Sequence, residues 1–156
     1  METLVNELAS GIPDLAQTIR IVLRMVAATL VGAVIGWERE RTGKSAGLRT
    51  HMLVSLSSAI FVIAPLEAGM DIDDLSRVLQ GVAAGIGFIG AGAILKLADV
   101  RVIEGLTTAA GLWLTASLGL AAGLGRFGLA TISAVIAWLI LAVVARVETG
   151  RSTHGD

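Results

Sequence analysis

Cysteine is absent from the 156-residue chain, which excludes disulfide bonds, thiol nucleophiles and thiolate ligands for a metal. Charge is also scarce, since Asp, Glu, Lys and Arg make up 16% of the residues, compared with about 25% in soluble domains. The hydrophobic fraction is 54% and the mean hydropathy is +0.80. A chain of this composition has an apolar surface, so we expect lipid to be its solvent. The net charge of −1 gives no bulk attraction to nucleic acid, and we expect no nucleic-acid partner.

The N-terminal stretch METLVNELASGIPD lacks the basic region and the apolar core of a cleavable signal peptide. It carries acidic residues instead. We therefore expect the first membrane span to act as the targeting signal.

Five apolar segments approach the length of a membrane span, which is roughly 17–25 mostly apolar residues. They lack apolar–polar alternation, are rich in Ala and Leu, and are too long for strands. The predicted fold class is therefore all-α, a polytopic membrane protein with five transmembrane helices. The segments are Ile19–Trp37, His51–Ala68, Val78–Leu97, Gly105–Gly123 and Phe127–Ala145. The chain is thus expected to divide into an outer segment (1–18), a membrane domain (19–145) and a cytoplasmic tail (146–156).

The distribution of Lys and Arg predicts the orientation, because cytoplasmic loops carry an excess of these residues. Eight of them lie between segments one and two, between segments three and four, or after segment five, and three lie on the other side. The acidic connection Glu67–Asp74 suits the outer side. We expect the N-terminus outside and the C-terminus inside.

The stretch GIGFIGAG (Gly85–Gly92) matches the G-x-G-x-x-G pattern of dinucleotide-binding turns. That function requires a preceding strand and a following amphipathic helix, and the surrounding sequence is instead continuously apolar. Small residues at spacings of four let helices approach closely in lipid. We therefore predict a helix-packing seam between segments three and four, or between two copies of the chain. Its glycines are Gly81, Gly85, Gly87, Gly90 and Gly92.

Most of the informative charge lies in the loop GWERERTGKSAGLRTHM, residues 36–52. The positive-inside rule explains its bases but not Glu38 and Glu40 among them. Glu38 is expected either to pair with Arg39, Arg41 or Arg49 and lock two helix ends, or to accompany an arginine cluster that binds an anionic lipid head group or a phosphate.

The other polar residues have ordinary structural explanations. Gln80 is expected to bond a neighbouring helix, and threonine hydroxyls usually bond back to their own helix. Asp74 is the predicted N-cap of the third helix, although its acidic neighbours could attract a hard cation. His51 has no partner at metal-ligand spacing. We find no catalytic constellation and predict no enzyme activity, no cofactor and no metal site.

Three pieces, taken in order, resemble the membrane domain of the MgtC/SapB family. They are GWERERTGKSAGLRTHMLVSLSSAIF (36–61), DLSRVLQGVAAGIGFIGAGAIL (74–95) and EGLTTAAGLWLTASLGLAAGLG (104–125). The resemblance implies a bacterial inner-membrane protein of about five spans. It links the chain to growth in low magnesium, survival in macrophages, stress and virulence, and to a possible membrane partner such as the ATP synthase. It implies no enzyme activity.

The resemblance also implies a set of polar functional residues: Glu38, Arg39, Arg49, Thr50, Gln80, Thr107 and Thr108. Three features depart from the family pattern, and one is Leu114, which stands where some members carry Cys. Glu104 stands where a base is expected, and only RVETGRSTHGD follows Ala145, where some members carry a soluble domain. We therefore expect no regulation through that domain. The first hypothesis is a membrane regulator that binds lipid or a membrane protein, with a homodimer as its assembly. The alternative is a small ion or solute transporter, for Mg²⁺ or another ion.

Overall fold

A computed structural model of the chain describes residues 14–96 and 103–144, with side chains described for 14–94 and 104–143. The described backbone forms five helices: α1 (Leu15–Arg41), α2 (Leu48–Glu67), α3 (Leu75–Gly92), α4 (Leu106–Gly123) and α5 (Phe127–Leu139). A 3₁₀ turn (Ile72–Asp74) precedes α3, and a π-helical segment (Ile140–Val144) continues α5. Two short strands, β1 (Leu95–Lys96) and β2 (Ile103–Glu104), pair antiparallel between α3 and α4. The predicted helical architecture is confirmed, and the small hairpin was not predicted.

Four of the helical stretches are long and apolar enough to cross a membrane: Leu15–Arg41, Leu48–Glu67, Ile72–Gly92 and Leu106–Gly123. The fifth apolar helix, Phe127–Val143, is shorter. Large apolar side chains point outward on every helix, and Phe88 is the extreme case at 84% exposed. Lipid, rather than water, is the favourable neighbour for such a surface.

Helix α1 begins and ends at recognisable capping signals. The Asp14 carboxylate accepts a hydrogen bond from the backbone N–H of Gln17 at 2.6 Å, as an N-cap residue does. At the other end, the Thr42 hydroxyl donates to the Glu38 carbonyl at 2.9 Å, and Gly43 adopts a positive φ of 68°. A left-handed conformation at this point ends the helix, and glycine adopts it without strain.

The centre of the bundle is α2, which packs tightly between α1 and α4. A Cβ atom added at Gly32 of α1 would lie 2.7 Å from the His51 carbonyl oxygen, and one at Gly123 of α4 would lie 2.8 Å from the Ala59 carbonyl oxygen. A Cβ at Gly119 would collide with the backbone of Ser55. Backbones this close require glycine, so the closest helix-packing seam among the described residues joins α1, α2 and α4.

Helix α3 lies at the periphery of this core. It does contact α4, as predicted, because Ile86 packs with Leu112 and Ala116, and a Cβ at Gly90 would contact Ala109 at 3.6 Å. The rest of the predicted glycine seam behaves differently. Added Cβ atoms at Gly81, Gly85, Gly87 and Gly92 would meet no described atom within 4 Å. Within one chain, only Gly90 of the five acts as a packing residue, and the seam between two copies stays a prediction.

Candidate functional site

One end of the bundle gathers most of the polar residues predicted to matter. At this end α1 and α3 finish and α2 and α4 begin. We call this the basic end, because Arg39, Arg41, Lys44 and Arg49 all belong to it. Gln80 lies in the second turn of α3, toward the opposite end. The predicted polar set therefore does not converge on one place.

An ion pair closes the last turns of α1. The Arg39 Nε donates to the Glu38 Oε2 at 2.5 Å, and these residues are 2% and 6% exposed. Consecutive helical residues do not normally face each other, but the long arginine side chain can fold back onto its neighbour. Pairing compensates for the burial of two charges, which would otherwise be costly. The structure contains the expected pairing of Glu38 with Arg39, but both residues lie on α1, so this pair does not lock two helix ends together.

Glu40 joins α1 to the start of α2. Its Oε2 accepts a hydrogen bond from the Leu48 N–H at 2.7 Å, and a Cβ at Gly47 would lie only 2.8 Å from the same oxygen. The first N–H groups of a helix have no partner within it, and Gly47 provides no side-chain cap for α2. A carboxylate from the preceding helix therefore provides the cap.

A buried hydrogen-bond chain links α2 to α4. The His51 Nδ1 lies 2.7 Å from the Thr115 Oγ1, and the Thr115 hydroxyl donates to the Gly111 carbonyl at 2.8 Å. Because that hydroxyl has a single proton, Nδ1 must donate to Thr115, which assigns the ring its tautomer. The His51 Nε2 is then a buried acceptor, and it has no hydrogen-bond partner among the described atoms.

The sequence analysis did not predict these hydrogen bonds, because it considered His51 only as a metal ligand. A signal was present, since His51, Ser55 and Ser58 recur at spacings of three and four on one face of an otherwise apolar helix. All three are buried, and the Ser55 hydroxyl donates to the Ala28 carbonyl at 2.6 Å. Polar residues on one helical face in lipid indicate contact with neighbouring helices.

The remaining predicted residues differ in their surroundings. Thr108, in the first turn of α4, is buried at 3% exposure, whereas Arg49, Thr50 and Thr107 are exposed at the basic end, and Gln80 is exposed on α3. None of these five side chains has a hydrogen bond to another described residue. The expected bond from Gln80 to a neighbouring helix is therefore not found in the described chain.

The acidic turn before α3 forms no site of its own. Asp71, Asp73 and Asp74 are exposed, and no group of three His, Asp or Glu side chains in the described residues could hold a metal ion. Asp74 does occupy the N-cap position of α3, but its carboxylate makes no capping hydrogen bond. The predicted N-cap position of Asp74 is confirmed, but no side-chain capping bond forms, because Asp74 is part of a 3₁₀ turn with helical backbone angles, whereas a capping residue is normally extended.

The sequence matches the MgtC family over residues 25–149. The chain belongs to the MgtC family. Relatives include SrpB of Synechococcus elongatus, 45% identical over 80% of this chain and 75% of SrpB. "Putative magnesium transporter YhiD" of Escherichia coli K12 is 39% identical over 81% of this chain and 61% of YhiD. MgtC of Salmonella typhimurium is 38% identical over 74% of this chain and 48% of MgtC.

The match covers most of this MgtC-family chain but less of some relatives, since it spans less than two thirds of YhiD and about half of MgtC. No solved structure matches the chain. Family membership together with several long apolar helices makes it a multi-pass membrane protein. The resemblance drawn from residues 36–125 is confirmed by the family match.

Proposed function

We propose that this MgtC-family protein is a non-enzymatic regulator in a bacterial inner membrane, linked to magnesium limitation and related stress, and acting through a membrane lipid or a membrane protein. The observation that carries the proposal is the separation of its polar residues. A permeation path would bring Glu38, Arg49 and Gln80 to one cavity. Glu38 is instead paired and buried, Arg49 is exposed, and Gln80 is exposed toward the other end of the bundle.

The charges of the core also favour regulation over cation transport. Glu38 is the only buried acid among the described residues, and its carboxylate is bonded by Arg39. A cation passing through the bundle would need oxygen ligands that are free to replace its water. The buried hydroxyls of Ser55 and Thr115 already donate to backbone carbonyls within the core. The name of the Escherichia coli relative favours the alternative, a small transporter for Mg²⁺ or another ion.

The proposed arrangement has five spans, with the N-terminus outside and the basic end in the cytoplasm. The bases of the α1–α2 connection support this orientation, and the exposed acids of the α2–α3 connection support it from the other side. The shorter apolar helix Phe127–Val143 is the proposed fifth span.

The proposed partners are inferred from the exposed surface of the protein. The open glycine face of α3 suits close approach of another helix, so a homodimer through α3 is one candidate assembly. Lipid and a larger membrane complex such as the ATP synthase are the others.

Flux measurements on liposomes containing the purified full chain test the proposal. Mg²⁺ and proton movement are followed with enclosed fluorescent indicators for the wild type, Glu38→Gln and Asp73→Asn. The last variant is a matched control, because Asp73 is an exposed acid far from the ion pair. We expect no protein to exceed the leak of empty liposomes.

The regulator is overturned, and a transporter is established, if the wild type shows flux that is lost in Glu38→Gln and kept in Asp73→Asn. Circular dichroism and a single chromatographic peak for each protein show that absent flux is not a failure to fold.

A further inference from the structure

A polar pocket of about 450 Å³ opens at the basic end, beside the ion pair but separate from it. Its wall consists of residues from the α1–α2 connection, from the two ends of the α3–α4 connection and from the first turn of α4: Gly43, Lys44, Ser45, Ala93, Glu104, Gly105 and Thr108. We call it the loop pocket. No residue in its wall belongs to the His51–Thr115 chain or to the Glu38–Arg39 pair.

The start of α4 borders this pocket through Gly105 and Thr108. Its first hydrogen bond within the helix runs from the Ala109 N–H to the Gly105 carbonyl at 2.8 Å, so the preceding N–H groups have no partner in the helix. Gly105 is the N-cap residue with a φ of 92° and provides no side-chain cap. An uncapped helix start combines free N–H donors with the positive end of the helix dipole.

A second observation points independently to a ligand. Thr108 is 3% exposed and lines the loop pocket, yet its hydroxyl has no hydrogen bond to any described residue. Threonine in a helix commonly bonds back to the carbonyl of the preceding turn, as Thr115 does. The rest of Thr108 is buried, but its Oγ1 is accessible, so a molecule in the pocket can exchange a hydrogen bond with it.

We propose that the loop pocket binds a phosphate group. Its oxygens would accept hydrogen bonds from the first N–H groups of α4 and from the Thr108 hydroxyl, with Lys44 providing the compensating charge. The exposed Arg41 and Arg49 at the same end raise the local concentration of anions. The group can come from a phospholipid head group or from free phosphate, and both offer the same tetrahedral set of acceptor oxygens.

Glu104 distinguishes these two sources. Its carboxylate lies in the same wall and repels a free phosphate, but it attracts the ammonium group of phosphatidylethanolamine. Glu104→Gln therefore strengthens the binding of inorganic phosphate, and it weakens the binding of phosphatidylethanolamine if that lipid is the source. This inference rests on the proposed function and deepens it by naming the chemistry of the ligand. Its readout is binding, so its failure is distinguishable from a positive flux result.

The test uses the purified full chain in two settings. Titration calorimetry in detergent micelles measures inorganic phosphate, and native mass spectrometry from nanodiscs measures retained lipid against a phosphatidylcholine background. Thr108→Val keeps the shape of the side chain and removes the hydroxyl, and we expect it to weaken binding by about tenfold or more. Lys44→Gln should weaken binding as well, and it is an exposed loop change that leaves folding intact. Ser117→Ala is the control, because Ser117 is an exposed hydroxyl on α4 that bonds to Trp113.

Saturable binding of phosphate or lipid that falls in both Thr108→Val and Lys44→Gln, but not in Ser117→Ala, supports the site. If Thr108→Val does not fold, Lys44→Gln decides alone. The proposal is overturned if neither phosphate nor any of the phospholipids binds, or if the variants bind as tightly as the wild type.

Discussion

Seven polar or charged side chains are buried among the described residues: Glu38, Arg39, His51, Ser55, Ser58, Thr108 and Thr115. Their partners decide what each can do. Glu38 bonds to Arg39, and His51 bonds to Thr115, over short distances. These four side chains therefore hold one another in position within the core. The hydroxyls of Ser58 and Thr108 have no hydrogen bond to another described residue, and of the two only Thr108 lines the loop pocket.

Residue chemistry from the sequence alone reached part of this picture. The acids placed among bases in residues 36–52 left two interpretations of Glu38 open, an ion pair with a neighbouring arginine or a place beside an anion-binding arginine cluster. Burial itself could not be read from the motif, since Arg39 and Arg49 look alike in sequence and differ completely in surroundings. Which arginine lies inside depends on how α1 is rotated against α2.

Replacing Thr115 by valine tests the buried chain between α2 and α4. Valine keeps the volume of the side chain but leaves the His51 Nδ1–H without its acceptor, a loss of about 1–3 kcal/mol for a buried donor. We expect a lower free energy of unfolding, measured by thermal or denaturant unfolding in detergent. Ser117→Ala on the same helix should change it by less than about 0.5 kcal/mol, because Ser117 is exposed. Equal stability of Thr115→Val and the wild type would show that His51 does not depend on this bond.

At the scale of helices, glycine plays two different structural roles in this fold. On α1 and α4 it permits backbone contact with α2, whereas on most of α3 it faces open space. The sequence analysis placed a glycine seam on α3, where the G-x-x-x-G spacing is densest, whereas the closest glycine contacts in the described part of the chain lie on α1 and α4. Spacing predicts which residues share a helical face, and it does not say which face meets a neighbour.

A matched pair of glycine substitutions separates these meanings. Gly119→Ala places a Cβ atom on the Ser55 backbone, and we expect a loss of about 1–3 kcal/mol or more. Gly81→Ala meets no described atom and should be neutral or stabilise α3 by up to about 1 kcal/mol, because alanine is the better helix former. Both effects are measured as free energies of unfolding at low protein concentration in detergent. A large loss from Gly81→Ala together with none from Gly119→Ala would contradict the packing described here.

At the scale of the whole molecule, composition and run length predicted the architecture well. Apolar runs that are long enough to cross a bilayer favour helices, because a helix satisfies every backbone hydrogen bond within its own segment. The observed helix ends differ from the predicted ones by several residues. Helix α1, for example, extends past Trp37 to Arg41, because its polar last turn is also helical. The hairpin between α3 and α4 could not be predicted, because a pair of two-residue strands leaves almost no pattern in a sequence.

The absence of cysteine makes the orientation directly measurable. Lys44→Cys places a single thiol at the basic end, and Asp71→Cys places one in the acidic connection before α3. A membrane-impermeant maleimide added to intact spheroplasts should label Asp71→Cys, and it should label Lys44→Cys only after permeabilisation. The reverse pattern would invert the orientation. Labelling of both from the outside would mean that α2 does not span the membrane.

The Glu40 cap has a consequence for how the protein is made. The Leu48 N–H donates to the Glu40 carboxylate, which lies only eight positions earlier in the sequence. A side chain of α1 therefore caps the first turn of α2. Contacts so close in sequence form early, because little loop entropy is lost in closing them. The glycine contacts of Gly32 and Gly36 with α2 need nothing beyond the first two helices either. A nascent chain can therefore enter the bilayer as a finished helical hairpin, onto which α4 is added after α3 has been synthesised.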